Sequence, residues 1–96
     1  MKQLKDLKKG DLLYYFDSRL CVYDKFEISK VECSKYGQTT YFKKDDYEEW
    51  FASADLTKTK TTFDENGDVL LYFDKEEFKK ETINIFLKKI EEINCM

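Results

Sequence analysis

The chain opens with Leu4 and Leu7 three positions apart, the spacing of one helical turn, and Gly10-Asp11 interrupts the pattern. Leu12-Leu13-Tyr14-Tyr15-Phe16 is then apolar and aromatic without alternation, bounded by Asp11 and Asp17, which predicts a strand covered on both faces. Asp17-Ser18-Arg19 reads as the turn and Leu20-Cys21-Val22-Tyr23 as the returning strand. Beyond Asp24-Lys25, Phe26 and Ile28 alternate with Glu27, but the next apolar residues are Val31 and Cys33, so the parity switches between Ser29 and Lys30. A β-bulge there keeps both pairs on one face, and strongly bent strands of this kind let small barrels turn corners. Lys35-Tyr36-Gly37-Gln38 predicts a turn, after which Thr39-Thr40-Tyr41-Phe42 pairs back.

From Asp45 to Ala54 the period changes. Tyr47, Trp50, Phe51 and Ala54 fall at i, i+3, i+4 and i+7, which predicts a short inserted helix, with Asp45 and Glu48 as its capping box. Asp46, Glu48 and Glu49 then occupy the opposite, outward face. Thr57 to Phe63 alternates polar residues of high strand propensity, with Lys58 and Lys60 on one side as on a protected sheet edge. Asn66-Gly67 predicts a two-residue hairpin loop that pairs Phe63 with Leu70 and Thr61 with Tyr72, making Val69 to Phe73 a strand. Asp74 caps a final amphipathic helix from Lys75 to about Asn94. Its apolar stripe of Phe78, Thr82, Ile85, Phe86 and Ile93 is widened by Ile83, Leu87 and Ile90 to about 180°, too broad for one sheet. The helix is therefore wedged against another element, or Ile83, Leu87 and Ile90 meet a partner, a homodimer mate among the choices.

Composition narrows the chemistry. Ninety-six residues, 42% apolar and 39% charged, predict one soluble globular domain spanning 1–96 whose small core rests on eight Phe, seven Tyr and one Trp. No apolar run approaches the roughly 18 residues of a membrane span, and Met1 to Leu7 lacks a signal-peptide core, so a cytoplasmic protein without membrane attachment is expected. Histidine is absent, which removes the commonest general base, the Ser-His and Cys-His nucleophile pairs and most zinc sites. The expectation is a non-enzymatic chain with no catalytic residues, no metal and no cofactor. Cys21, Cys33 and Cys95 are odd in number and have no C-x-x-C spacing, so they read as buried or incidental thiols; a Cys21–Cys33 approach across neighbouring strands is the alternative, kept as thiols in a reducing compartment. Asp64-Glu65-Asn66-Gly67-Asp68 fails as a calcium loop, because the EF-hand pattern needs Gly and Glu where Val69 and Lys75 stand.

Charge is uneven: residues 1–44 carry +4 and residues 45–96 carry −7. An acidic second half opposes nucleic acid and favours a basic protein partner. The candidate protein-binding residues are Asp45, Asp46, Glu48 and Glu49, supported by Glu65 and Asp68, with Tyr47 or Trp50 as an aromatic anchor. The alternative is a single-stranded nucleic-acid surface built from Tyr14, Tyr15, Tyr23, Tyr41 and Lys30, Lys43, Lys44.

Together these elements predict an α+β fold, a small curled antiparallel sheet or half-open barrel of five to six strands. Leu7-Lys8-Lys9-Gly10-Asp11-Leu12-Leu13-Tyr14 and Val69-Leu70-Leu71-Tyr72-Phe73-Asp74-Lys75-Glu76-Glu77 resemble the first strand and the last strand-plus-helix of small SH3-like barrel proteins of bacteria, phages and mobile elements. The resemblance implies an accessory binding protein; the acidic surface adds the expectation of a phage-type inhibitor or immunity-like factor acting on a basic, nucleic-acid-handling target.

Overall fold

The parity switch in the second strand decides the architecture. In a computed structural model that describes all 96 residues, six strands follow one another as β1 (Leu12–Asp17), β2 (Val22–Ser34), β3 (Gly37–Lys44), β4 (Tyr47–Ser53), β5 (Lys60–Thr62) and β6 (Val69–Tyr72). A 3-10 turn (Leu4–Asp6) precedes them and α1 (Lys75–Asn94) closes the chain. All pairings are antiparallel, in the order β4-β3-β2-β1-β6-β5. The first half of β2 pairs with β1, from Val22 opposite Asp17 to Glu27 opposite Leu12. Its second half pairs with β3, and the register slips between Ile28 and Lys30, leaving Ser29 as the extra residue. That bulge bends β2 and curls the sheet into a half-barrel.

The concave face holds the core: Leu4, Leu7, Leu13, Ile28, Phe42, Phe51, Leu71 and Phe73. Phe42 lies at its centre, with ring centroids 5.5 Å from Phe26, 5.8 Å from Phe63 and 6.3 Å from Phe51. Phe51 of β4 stacks on Phe73 just past β6 at 5.8 Å, so strands far apart in the order meet across the open side. The 3-10 turn plugs the end. Leu4 N–H donates to Lys58 O at 2.7 Å, Lys5 N–H to Leu56 O at 3.0 Å, and Gln38 Nε2 to Leu4 O at 3.0 Å.

The helix covers the other face of β1 and β6. Phe78 stacks on Tyr14 at 5.2 Å and meets Tyr72 edge-on at 5.6 Å, while Phe86 meets Phe16 at 5.8 Å and Tyr23 of β2 at 6.4 Å. The unbroken apolar run 12–16 is thus a strand with the core on one side and the helix on the other. Asp74 is the N-cap: its carboxylate accepts from Glu77 N–H at 3.0 Å and from Lys2 N–H at 3.1 Å, tying the chain's start to the helix. Those two backbone donors, Lys2 first, hold the carboxyl below its ordinary value. A lowered carboxyl stabilises the fold fully above its unfolded pKa and loses that contribution as pH falls through the folded value. Asp74→Ala should cost about 1–2 kcal/mol at neutral pH. The gap from wild type should narrow progressively as pH falls below about 4, measured by denaturant unfolding at neutral pH and at successively lower pH values.

Three sequence expectations are corrected. Residues 45–54 form no helix: Asp45-Asp46 is a tight turn with Asp45 at φ 56°, a conformation Asp tolerates, and Tyr47–Ser53 is β4. Tyr47 and Phe51 share a face at period two as well as near period 3.6, so local spacing fits both states. Seven residue pairs with β3, from Gln38 opposite Ser53 to Lys44 opposite Tyr47, select the strand. The β5–β6 hairpin is shifted by one residue, with Thr62 opposite Leu70 and Thr61 opposite Leu71. Its turn has a positive φ only at Gly67 (75°), whereas the two-residue type I′ loop needs it at both central positions, and Asp64 caps Val69 N–H at 3.0 Å instead. Finally, Cys21 lies in the turn before β2 and Cys33 near its far end, so they do not face each other; all three cysteines are free thiols.

Candidate protein-binding surface

The β3–β4 hairpin carries most of the sequence-selected site. Because β4 is an edge strand, its outer backbone groups have no partner strand. Alternation sends Phe51 into the core and turns Trp50 outward, 59% exposed, opposite Tyr41 of β3. Tyr47 beside the turn is 55% exposed. Both proposed aromatic anchors are therefore accessible.

The acids are arranged differently from a helical face. Asp45 and Asp46 stand exposed in the turn; Glu48 lies on Trp50's face and Glu49 on the face of Phe51. Ser29 Oγ at the bulge donates to Glu48 Oε2 at 2.7 Å, and none of the four carboxylates is in an ion pair. Glu65 and Asp68 sit in the β5–β6 turn, and no hydrogen bond or ion pair links them to this hairpin. The backbone carbonyl of Asp68 accepts from Ser18 N–H at 2.9 Å and Ser18 Oγ at 3.1 Å, fastening that turn to the one after β1.

On the outer face next to Trp50, Lys30 Nζ lies 4.8 Å from the Tyr41 ring centre and 2.7 Å from Glu32, and Tyr41 OH donates to Glu32 at 3.3 Å. The Glu32 contact raises the Lys30 ammonium and lowers the Glu32 carboxyl from their ordinary values. Lys43 pairs in register with Glu48. The Lys and Tyr residues of the nucleic-acid alternative do not form one surface: Tyr14 and Tyr23 contact the helix, Tyr15 packs on the core, and Tyr41 faces outward.

Two features escaped the sequence reading. Lys60 of β5 lies 2.6 Å from Glu81 and 3.7 Å from Glu77 of α1 and 5.6 Å from the Tyr72 ring centre, so it ties the edge strand to the helix. Burial, then Glu81, pushes the Tyr72 phenol upward, and Glu81 raises Lys60. Ile93 and Tyr23, 66% and 65% exposed, join Ile83, Leu87 and Ile90, which stay more than half exposed. Their exposure depends on where the sheet ends, which periodicity does not report. No three Asp, Glu or Cys side chains converge to hold a metal ion, and no helix is long and apolar enough to cross a membrane.

The molecule is thus an α+β protein: one curled six-stranded antiparallel half-barrel sheet, a short 3-10 turn and a C-terminal helix. Compared with protein-family models, curated proteins and solved structures, the chain has no match.

Proposed function

We propose that this chain is a non-enzymatic, cytoplasmic protein-binding module that presents the β3–β4 hairpin to a basic, nucleic-acid-handling protein, in the manner of a phage-type inhibitor or immunity-like factor. The observation that carries this reading is the edge strand β4, which exposes Trp50 beside Glu48 on its outer face and Tyr47 beside Glu49 on the other, next to Asp45 and Asp46 of the turn, with none of the four carboxylates in an ion pair. Unpaired carboxylates steer a basic partner, and a half-exposed Trp is the side-chain type that most often anchors an interface.

The test is affinity capture from lysate after nuclease treatment, using the full chain beside D45K/D46K/E48K/E49K and W50A. The charge reversal should abolish retention of a basic protein, and Trp50→Ala should weaken binding by about 2 kcal/mol or more. D45N/D46N/E48Q/E49Q, which keeps Asn at the positive φ of position 45 and an acceptor for Ser29 Oγ, should also lose the partner while the circular dichroism of the fold is retained. Retention by the charge-reversed variant removes the acidic-surface reading. Recovery that needs nucleic acid and falls steeply with salt supports the alternative, a nucleic-acid-binding barrel.

A further inference from the structure

The helix places apolar groups where its own sheet does not reach them. Ile83, Leu87 and Ile90, at i, i+4 and i+7, are 55%, 52% and 53% exposed and form one seam along the flank of α1. Phe86 links that seam to the exposed Tyr23 of β2, 6.4 Å away. At 100° per residue Ile93 lies between the directions of Phe78 and Phe86, which dock on the sheet, yet it is 66% exposed because the helix has passed the sheet's end. The radius of gyration, 14.5 Å, exceeds the roughly 12.5 Å of a compact domain of this length and agrees with such an overhang.

We propose that this flank is the contact of a reversible, antiparallel homodimer in which the α1 helices of two copies cross near Leu87. Charge selects both occupant and direction. Lys80 and Glu91 lie on the same side of the seam, about 20° apart around the helix. A two-fold axis near Leu87 sets Ile83 against Ile90 of the second copy, and the same register sets Lys80 against Glu91 and Glu91 against Lys80. The patch is self-complementary, as a two-fold contact requires. In a parallel pair Lys80 of one copy and Glu91 of the other would be separated by about 16 Å along the axis, so the two charges could not meet. Ile83, Leu87 and Ile90, each more than half exposed, form the apolar centre of the contact. With their polar flanks they suit an interface near the lower limit of about 1,200 Å² in total, so dissociation in the micromolar range is expected.

Sedimentation equilibrium of the full chain under reducing conditions, from about 1 μM to about 1 mM, tests this. Wild type should move from 11.6 kDa towards twice that mass. Leu87→Lys should stay monomeric with unchanged circular dichroism and melting temperature, since Leu87 is half exposed. Lys80→Glu should weaken the dimer about tenfold, and K80E/E91K should restore it. A wild type monomeric throughout, a dimer unaffected by Leu87→Lys, or a double charge swap that does not recover association would each overturn the proposal. The hairpin variants D45K/D46K/E48K/E49K should dimerise as wild type does, which separates this contact from the protein-binding surface.

Discussion

Phe42→Ala should destabilise the protein by about 3–5 kcal/mol, a large part of the 5–15 kcal/mol that holds a domain of this size folded. Phe42 is 1% exposed and its ring touches Phe26, Phe51 and Phe63, from β2, β4 and the β5–β6 turn. Truncation leaves a cavity where three separate parts of the sheet meet, so no single neighbour can relax into it. The melting temperature should fall by more than about 12 °C. Phe42→Leu, which retains most of the volume, should recover more than half of the loss. Urea unfolding followed by circular dichroism measures both; a loss under about 1 kcal/mol for the alanine variant would mean that the half-barrel is not closed around this ring.

Gly37→Ala should be nearly as damaging, for a different reason. Gly37 follows the β2–β3 turn at φ 142°, a conformation that residues with a side chain rarely adopt. A Cβ there would lie 2.4 Å from Ser53 O and 2.9 Å from Ala54 Cα, both backbone atoms at the end of β4. Conformational strain of about 1–3 kcal/mol therefore adds to a collision that only displacement of β4 can relieve. Total destabilisation of about 2–5 kcal/mol is expected, with faster hydrogen exchange along Tyr47–Ser53 and weakened partner binding through that strand. Gly67→Ala is the control: its φ of 75° is also positive, but nothing lies within 4 Å of the added atom, so only about 1–2 kcal/mol should be lost. Equal losses at the two glycines would show that the approach of β4 to Gly37 is not what makes glycine necessary.

The parts of the fold legible in the sequence are those whose signal is local. The slip between Ile28-Ser29 and Lys30-Val31 is visible as a change of parity, and the bulge at Ser29 follows from it. The run Leu12–Phe16 has no polar face to give to water, so a strand sandwiched between core and helix is its only stable placement. Asp74 with Glu77 three residues later marks a helix start, because the carboxylate satisfies an N–H the helix cannot. Leu4 and Leu7 likewise announce a turn, and both are buried.

Other features required the assembled chain. Over Asp45–Ala54 the positions of Tyr47 and Phe51 suit either period, and the choice fell to β3, whose residues 38–44 offer a complete ladder to a segment within reach of a two-residue turn. The same choice separated Glu48 from Glu49, turned Trp50 outward and Phe51 inward, and changed an acidic helix face into an acidic edge strand. The hairpin at Asp64–Asp68 shifted by one residue because Asp64 and Ser18 capture backbone groups there that no local rule assigns. Periodicity showed that the stripe on α1 is too wide for one sheet; only the tertiary structure showed which part is covered. The sheet ends near Phe86, and apolar groups beyond or beside that limit stay in water unless another molecule takes them. Sequence alone therefore determined which residues are apolar and how they repeat. Exposure depends on contacts between residues distant in the chain, so the tertiary structure decided which of them are core and which are surface.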